Sequence, residues 1–131
     1  MISELERPRM ETQREDKEFF SISSIVDKTG ISEYTLRYYD KCGFFPDLAR
    51  TKGGTRKFCK NDIEQLKLID ALRRSGLSIE GLQYFVRLQR QGAETLQERQ
   101  QIIEKQRISL EYQLDEMRAS LEVLQNAKSK V

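Results

Sequence analysis

Residues 29–43 decide the fold, and they read TGISEYTLRYYDKCG. Gly30 closes an apolar-faced segment that begins near Phe19, at the position where a left-handed cap ends a helix. Ser32 then predicts the N-cap of a second short helix, which Gly43 ends. Two short helices joined by a tight turn are the layout of a helix-turn-helix, whose second helix enters a DNA major groove.

A β-hairpin wing is predicted after this motif. The Gly53-Gly54 pair stands between two short β-permissive runs, and both glycines can take a positive φ without a Cβ clash. The two arms carry more cations than a small ribbon needs for solubility, namely Arg50, Lys52, Arg56 and Lys57.

Two helices are predicted beyond the wing. The first begins at a capping box of Asn61 with Glu64 and ends at Gly76, and a shorter one runs from Ser78 to about residue 92. The apolar positions of this region and of the first two helices predict a core that contains Ile22, Ile25, Leu36, Ile69 and Leu72.

The C-terminal segment has the most regular pattern. A capping box of Thr95 with Glu98 predicts the start of a helix that runs to about Ala127, on the order of 50 Å. Apolar residues recur every seven positions along it and form a row on the helix surface, hereafter the seam. Leu114 and Leu121 repeat at the same interval beside this row and are included in the seam. Since the helix has no partner of matching length in its own chain, we expect a homodimer through Leu96, Ile103, Leu110, Leu114, Met117, Leu121 and Leu124. Ile102 and Ile108 lie off the seam and are expected to contact a neighbouring domain.

The formal net charge of +2 is distributed unevenly. Residues 1–27 carry a net −3, residues 28–74 a net +5, and residues 75–131 a net charge of zero. A local basic surface gains free energy from phosphates by releasing counterions, whereas a merely solvated charged face is the plain alternative.

Composition argues against several classes of protein. No stretch approaches the roughly 18 consecutive apolar residues of a membrane span, so we expect a cytoplasmic protein with no membrane partner. The chain has no histidine and two cysteines, which disfavours a structural metal, a cofactor and an enzyme's acid-base or nucleophilic machinery. The expected organisation is a charged arm over 1–18, a DNA-binding domain over 19–92 and a dimerisation helix over 93–131.

Taken together, these motifs resemble the MerR family. The run 29–43 is similar to that family's helix-turn-helix, and residues 56–58, 62–69 and 72–78 are similar to its wing, third helix and following turn. The resemblance implies a mainly α fold, with a winged helix-turn-helix DNA-binding domain followed by a long antiparallel coiled-coil dimerisation helix. It also implies a homodimer that binds and distorts a palindromic site in double-stranded promoter DNA, where RNA polymerase engages.

The resemblance also implies roles for individual residues. Arg37, Tyr38 and Tyr39 match positions that face the groove or clamp a phosphate, Arg50 and Arg56 match wing cations, and Arg73 matches a backbone contact. The whole predicted DNA-binding set is Tyr34, Thr35, Arg37, Tyr38, Tyr39, Arg50, Lys52, Arg56, Lys57, Phe58 and Arg73. The two adjacent tyrosines point about 100° apart, so we expect contact roles for both with one partly buried, against the alternative of core rings.

Two departures limit what the resemblance implies. Thr55 stands where the wing tip of the family often has an aromatic residue, and residues 92–131 lack the cysteines of the metal-sensing branch. The start of the long helix resembles the small aldehyde-responsive subgroup, yet Ala71 stands at the position of that subgroup's reactive cysteine. If an effector exists, it is expected to bind at the junction between the DNA-binding domain (residues 19–92), hereafter the reader, and the dimerisation helix.

Cys42 and Cys59 each adjoin a lysine that would lower the pKa of a thiol. Redox sensing by these thiols is therefore one hypothesis, and small, partly buried fillers are the favoured alternative. Two other functions remain open at this point, a coiled-coil protein-interaction adaptor and an excisionase-like architectural DNA-binding protein.

Overall fold

The computed structural model describes residues 18–131, so the predicted arm lies outside the described residues except for Glu18. The described chain is mainly helical, as predicted, with a two-stranded wing. In chain order its elements are α1 (Ile22–Thr29), α2 (Glu33–Lys41), β1 (Ala49–Arg50), β2 (Arg56–Lys57), α3 (Lys60–Arg74), α4 (Ile79–Gln91), a 3₁₀ turn (Gly92–Thr95) and α5 (Leu96–Lys130).

The turn between α1 and α2 follows the predicted caps. Gly30 has φ 75°, and its N–H donates to the Val26 carbonyl at 2.8 Å, which closes α1. The Ser32 hydroxyl accepts from the Thr35 N–H at 3.1 Å and so satisfies one of the free donors at the start of α2. These local bonds fix the angle at which α2 leaves the turn.

The wing is an antiparallel hairpin in which Arg50 pairs with Arg56. Its turn differs from the expected form, because only Gly54 of the two glycines has a positive φ, at 88°. The Gly54 N–H donates to the Thr51 carbonyl, as in a three-residue hairpin loop that ends in one left-handed residue. A further bridge pairs Phe20 with Phe58, which extends the wing by one residue from before α1.

Both capping boxes predicted for the later helices are wrong. The first box forms two residues earlier, where the Asp62 carboxylate accepts from the Cys59 N–H at 2.9 Å and α3 begins at Lys60. At the start of α5, Thr95 is the N-cap, but its hydroxyl donates to the carbonyls of Leu88 and Gly92 and accepts from Arg99 Nε instead of from a backbone N–H of the helix. Thr95 is buried beside carbonyls that have no partner in a helix, and buried carbonyls need a hydrogen-bond donor, so the hydroxyl bonds to them.

One apolar core joins α1 to α4. Four of the five core residues predicted from the sequence are buried, and the fifth, Ile22, packs against the core partly exposed. The largest buried members of the core are Tyr39, Phe44, Phe58, Phe85, Ile25, Leu36, Leu66, Ile69 and Leu82.

The helix α5 is attached to this core on one side only. Ile102 packs against the core as expected. Ile108 is 54% exposed and is not among the residues of 18–131 that pack on the core, which corrects that prediction. Ser109 and Gln113 donate to the carbonyl of Ser75, just after α3. No residue of α5 is fully buried, so its apolar seam is open along its whole length.

Candidate nucleic-acid interface

The helix α2 divides its side chains between two faces. Leu36 and Tyr39 are 0% and 2% exposed, so they hold the helix on the core. Tyr34, Arg37, Tyr38 and Lys41 point away from the core, at the spacings of three and four that place residues on one helical face. This face, hereafter the outer face of α2, is free to enter a groove.

Two predicted contact residues are not available to a ligand. The Phe58 ring is 0% exposed and packs edge-on against Phe45, with ring centroids 6.0 Å apart. The Tyr39 ring is buried and packs on Phe44, at 5.6 Å between centroids. Both predictions are corrected, because bringing either ring to DNA would expose core surface.

Tyr39 instead anchors α2 to α3. Its hydroxyl donates to Asp70 Oδ1 at 3.0 Å. Burial raises the pKa of Tyr39 to about 12, the bond to Asp70 adds to the rise, and the Arg73 guanidinium opposes it. The other carboxylate oxygen of Asp70 accepts from Arg74 at 2.8 Å, which raises the pKa of Arg74. The bond between Tyr39 and Asp70 fixes the end of α3 beside the outer face of α2.

Arg73 reaches that face from α3. Its guanidinium carbon lies 5.8 Å from the Tyr38 ring centroid, within the range of a cation-π contact. A depression of about 470 Å³ opens here and is lined by Tyr34, Thr35, Tyr38, Tyr39, Asp70, Arg73 and Arg74. The fold therefore brings Arg73 to the predicted recognition helix although the two are far apart in sequence.

A second depression lies between α2 and the wing. It has a volume of about 390 Å³ and is lined by Tyr34, Arg37, Tyr38, Lys41 and Arg56. Three of its five lining residues are cations, and the other two are aromatic rings on the outer face of α2. Guanidinium and ammonium donors beside aromatic rings suit a phosphate backbone and base edges.

The wing cations differ in their surroundings. Arg50 Nη2 and Arg56 Nε both donate to Asp40 Oδ2, at 2.8 and 2.6 Å. Lys57 points to the opposite face of the strand from Arg56, and its Nζ lies 4.3 Å from the Phe19 ring centroid. Lys52 is exposed in the turn of the hairpin. The predicted wing cations thus occupy three different environments.

Arg37 is exposed on α2 and paired within its own helix. Its Nη2 is bonded to Glu33 one turn earlier, and 59% of the Arg37 side chain is exposed. An exposed pair of this kind is worth less than about 1 kcal/mol, so it can exchange for a stronger acceptor.

Sequence reasoning missed Lys41, Asp70 and Arg74, which complete the two depressions. It also missed Asp40, which pairs with two wing arginines. Asp40 and Asp70 are two of the six acidic residues in the basic segment 28–74, so their charge alone does not single them out. Their partners lie in other elements, so the pattern of a single helix does not reveal their roles.

The two cysteines lie in different surroundings. Cys59 is 0% exposed, which corrects the hypothesis that its thiol is open to an oxidant from solvent. Cys42 is half-buried, and its carbonyl accepts from Gln83 at 3.1 Å. Over residues 18–131 the structure contains no cluster of three metal-ligating side chains. Nor does any helix in that range have the length and apolar character to cross a bilayer.

Comparisons with known proteins agree with this arrangement. The profile of the MerR HTH family regulatory proteins matches residues 20–88. An "Uncharacterized HTH-type transcriptional regulator" of Haemophilus influenzae is 32% identical over 106 residues, which is 81% of this chain and 78% of that protein. The "HTH-type transcriptional regulator AdhR" of Bacillus subtilis is 33% identical over 67% of this chain and 64% of its own length.

Solved structures show the same fold. The crystal structure of HiNmlR, described as a MerR family regulator lacking the sensor domain and bound to promoter DNA, is 31% identical with a TM-score of 0.74, over 80% of each chain. A MerR family transcriptional regulator from Bacillus thuringiensis has a TM-score of 0.77 at 24% identity, over 87% of this chain and 100% of that one. The second likeness concerns the fold alone.

Proposed function

Because this chain belongs to the MerR family of helix-turn-helix regulatory proteins, we propose that it regulates transcription as a homodimer on a palindromic site in promoter DNA. The observation that carries the proposal is the outer face of α2, where exposed cations and aromatic rings stand between the wing and Arg73. HiNmlR, which shares the fold, is bound to promoter DNA in its crystal structure.

In this proposal α2 enters the major groove. Arg37 is the cation best placed for a base edge, since it lies near the middle of the outer face and a guanidinium makes two parallel bonds to guanine. Tyr38 and Arg73 flank it and contact the phosphate backbone. On the side of α2 where the wing lies, Lys52 and Arg56 contact the phosphate backbone of the DNA. These contacts contribute charge rather than sequence preference.

The homodimer is proposed from the open seam of α5. Leu110 and Leu114 are 41% and 47% exposed, and beyond them Met117 and Leu124 are 72% and 67% exposed. A row of apolar side chains along one side of a long helix is unfavourable in water unless a partner covers it. A second copy presents the same seam, and an antiparallel pair related by a two-fold axis covers both.

The seam and the reader-facing side of α5 do not coincide. At 100° per residue, the seam positions 103, 110 and 114 and the positions 106 and 109, which face Ser75, are centred about 90° apart around the helix. One side of α5 therefore holds its own reader while the other is free for the partner. A dimer built in this way presents two α2 helices to two half-sites.

Distortion of the DNA and engagement of RNA polymerase at the promoter are the remaining parts of the proposal. Their support is membership of the family. Distortion needs binding free energy beyond that of a straight duplex, of the order of a few kcal/mol. The cations of both protomers are the source of that free energy in this protein.

The proposal is tested by Arg37→Ala on a duplex identified by footprinting the DNA upstream of the protein's own gene. We expect the affinity for that duplex to fall by roughly 5- to 150-fold, with a smaller loss on a scrambled duplex, since Arg37 reads a base. Arg118→Ala is the matched control, because Arg118 is also exposed and paired within its own helix. Equal affinities of wild type and Arg37→Ala on both duplexes would show that α2 does not read DNA.

A further inference from the structure

Asp40 makes an unusual set of contacts for an acidic residue on a surface proposed to meet DNA. It lies on α2, one residue before the last, and its side chain is only 9% exposed. A single oxygen, Oδ2, accepts from Arg50 of β1 at 2.8 Å and from Arg56 of β2 at 2.6 Å. One carboxylate therefore joins the recognition helix to both strands of the wing.

The register of the wing makes this bridge possible. Arg50 and Arg56 are directly opposite each other across the hairpin, so their side chains lie on the same face. The next residue, Lys57, points to the other face and lies over the Phe19 ring. The strands are only two residues long, and few backbone bonds hold them in place. The two ion pairs thus tie both strands of this ribbon to α2, beside the anchor that the buried Phe58 gives to β2.

We propose that Asp40 is a positioning residue that sets both the place and the charge of the wing, and thereby limits binding to DNA of unrelated sequence. This inference rests on the proposed DNA-binding function. The cluster of Asp40, Arg50 and Arg56 carries a net charge of +1, whereas the two arginines alone would carry +2. Asp40 offsets the charge of one of the two arginines and so reduces the attraction of the wing to any duplex. It also orients both guanidinium groups, whose remaining N–H donors are free within residues 18–131 except for Arg50 Nη1, which donates to the Gly54 carbonyl at 3.4 Å.

The test compares Asp40→Asn with wild type on specific and scrambled duplexes between 50 and 200 mM salt. The amide keeps the shape of the side chain and removes its charge. We expect the affinity for scrambled DNA to depend more steeply on salt, by about 0.9 in the log-log slope for each protomer. Over this fourfold range the loss of affinity then grows by about 3.5-fold for one protomer and about 12-fold for a dimer. The ratio of specific to scrambled affinity should fall.

Three variants separate charge from structure. Asp47→Asn makes the same change in net charge at an exposed acidic residue that lines a different depression, with Arg90 and Arg99, and should leave the slope unchanged. Asp40→Glu keeps the charge and should restore the wild-type slope. In an Arg50→Gln/Arg56→Gln background, Asp40→Asn should no longer lower the ratio of specific to scrambled affinity, because the carboxylate then has no guanidinium to orient.

A measurement without DNA tests the clamp separately from the proposed function. The Thr51 N–H, which donates to the Thr55 carbonyl across the hairpin, should exchange with solvent faster in Asp40→Asn than in wild type. Unchanged exchange at Thr51, or an unchanged salt slope in a folded Asp40→Asn protein that binds DNA, would overturn the inference. Loss of DNA binding by the wild type would instead overturn the proposed function.

Discussion

Leu114→Asp is the substitution that tests the proposed dimer most directly. Leu114 lies on the seam of α5, close to the middle of the helix, and 47% of it is exposed in the single chain. An antiparallel partner would cover this remaining surface. The substitution therefore removes an apolar contact and places a carboxylate where the partner helix excludes water.

The size of the effect follows from the exposed fraction. Burying a whole leucine side chain stabilises by about 1.5–3 kcal/mol, so covering half of one contributes about 1 kcal/mol. Partial desolvation of the carboxylate costs at least about 2 kcal/mol more. Two-fold symmetry repeats the change in the second protomer, which brings the total to about 6 kcal/mol. The dissociation constant of the dimer should rise by a factor of about 10⁴.

Sedimentation velocity over a concentration series measures this shift. Ile108→Asp is the matched control, because Ile108 is 54% exposed on the same helix but lies about 120° around it from Leu114. Circular dichroism should show that the reader of Leu114→Asp stays folded while the part of α5 beyond Gln113 loses helicity, since a long helix without tertiary contacts is marginal. A folded Leu114→Asp protein that remains dimeric, or equal dissociation of Ile108→Asp, would refute the seam as the interface.

Three further predictions concern the stability of the reader. The pKa of Tyr39 is raised from 10.0 to about 12 in the folded chain, so its contribution is present below pH 10 and is lost as pH rises through 12. The free energy of unfolding in urea should thus fall by about 2 kcal/mol more between pH 9 and 11.5 in wild type than in Tyr39→Phe, and parallel curves would contradict the assignment. Leu66→Ala, at a fully buried site, should lower the same free energy by about 2–5 kcal/mol, against less than about 0.5 kcal/mol for the exposed neighbour Lys67→Ala. Gly30→Ala should cost about 1–2 kcal/mol because φ is 75° there, whereas Gly53→Ala, where φ is not positive and the nearest atom is 3.9 Å away, should be nearly neutral; equal losses in thermal melts would refute this reasoning.

Local chemistry in the sequence was sufficient for the order and kind of the elements. Gly30 and Ser32 cap adjacent helices through bonds to residues three or four positions away, so their pattern is readable without the fold. The seven-residue repeat of α5 likewise depends only on helical geometry. The family resemblance drawn from residues 29–43 is confirmed by the comparisons for the same reason, since the motif is contiguous.

Cap positions were predicted less well where two choices compete. Asn61 with Glu64 has the expected spacing of a capping box, yet the helix begins two residues earlier, at Lys60, because Asp62 is buried and bonds to the N–H of Cys59. Thr95 is the N-cap of α5 as predicted, but it forms no capping box because its hydroxyl bonds to carbonyls left free by the preceding turn. Burial decides between nearly equal local options, and burial is a property of the packed chain.

The roles of individual site residues were decided by the tertiary structure. Tyr38 and Tyr39 are neighbours of the same type, but only packing on Phe44 and the bond to Asp70 show that Tyr39 belongs to the core. The bridge from Asp40 to Arg50 and Arg56 joins positions 10 and 16 residues apart in three elements. Periodicity records which side of a helix faces inward, whereas a contact between elements depends on how they pack, and no local pattern encodes that geometry.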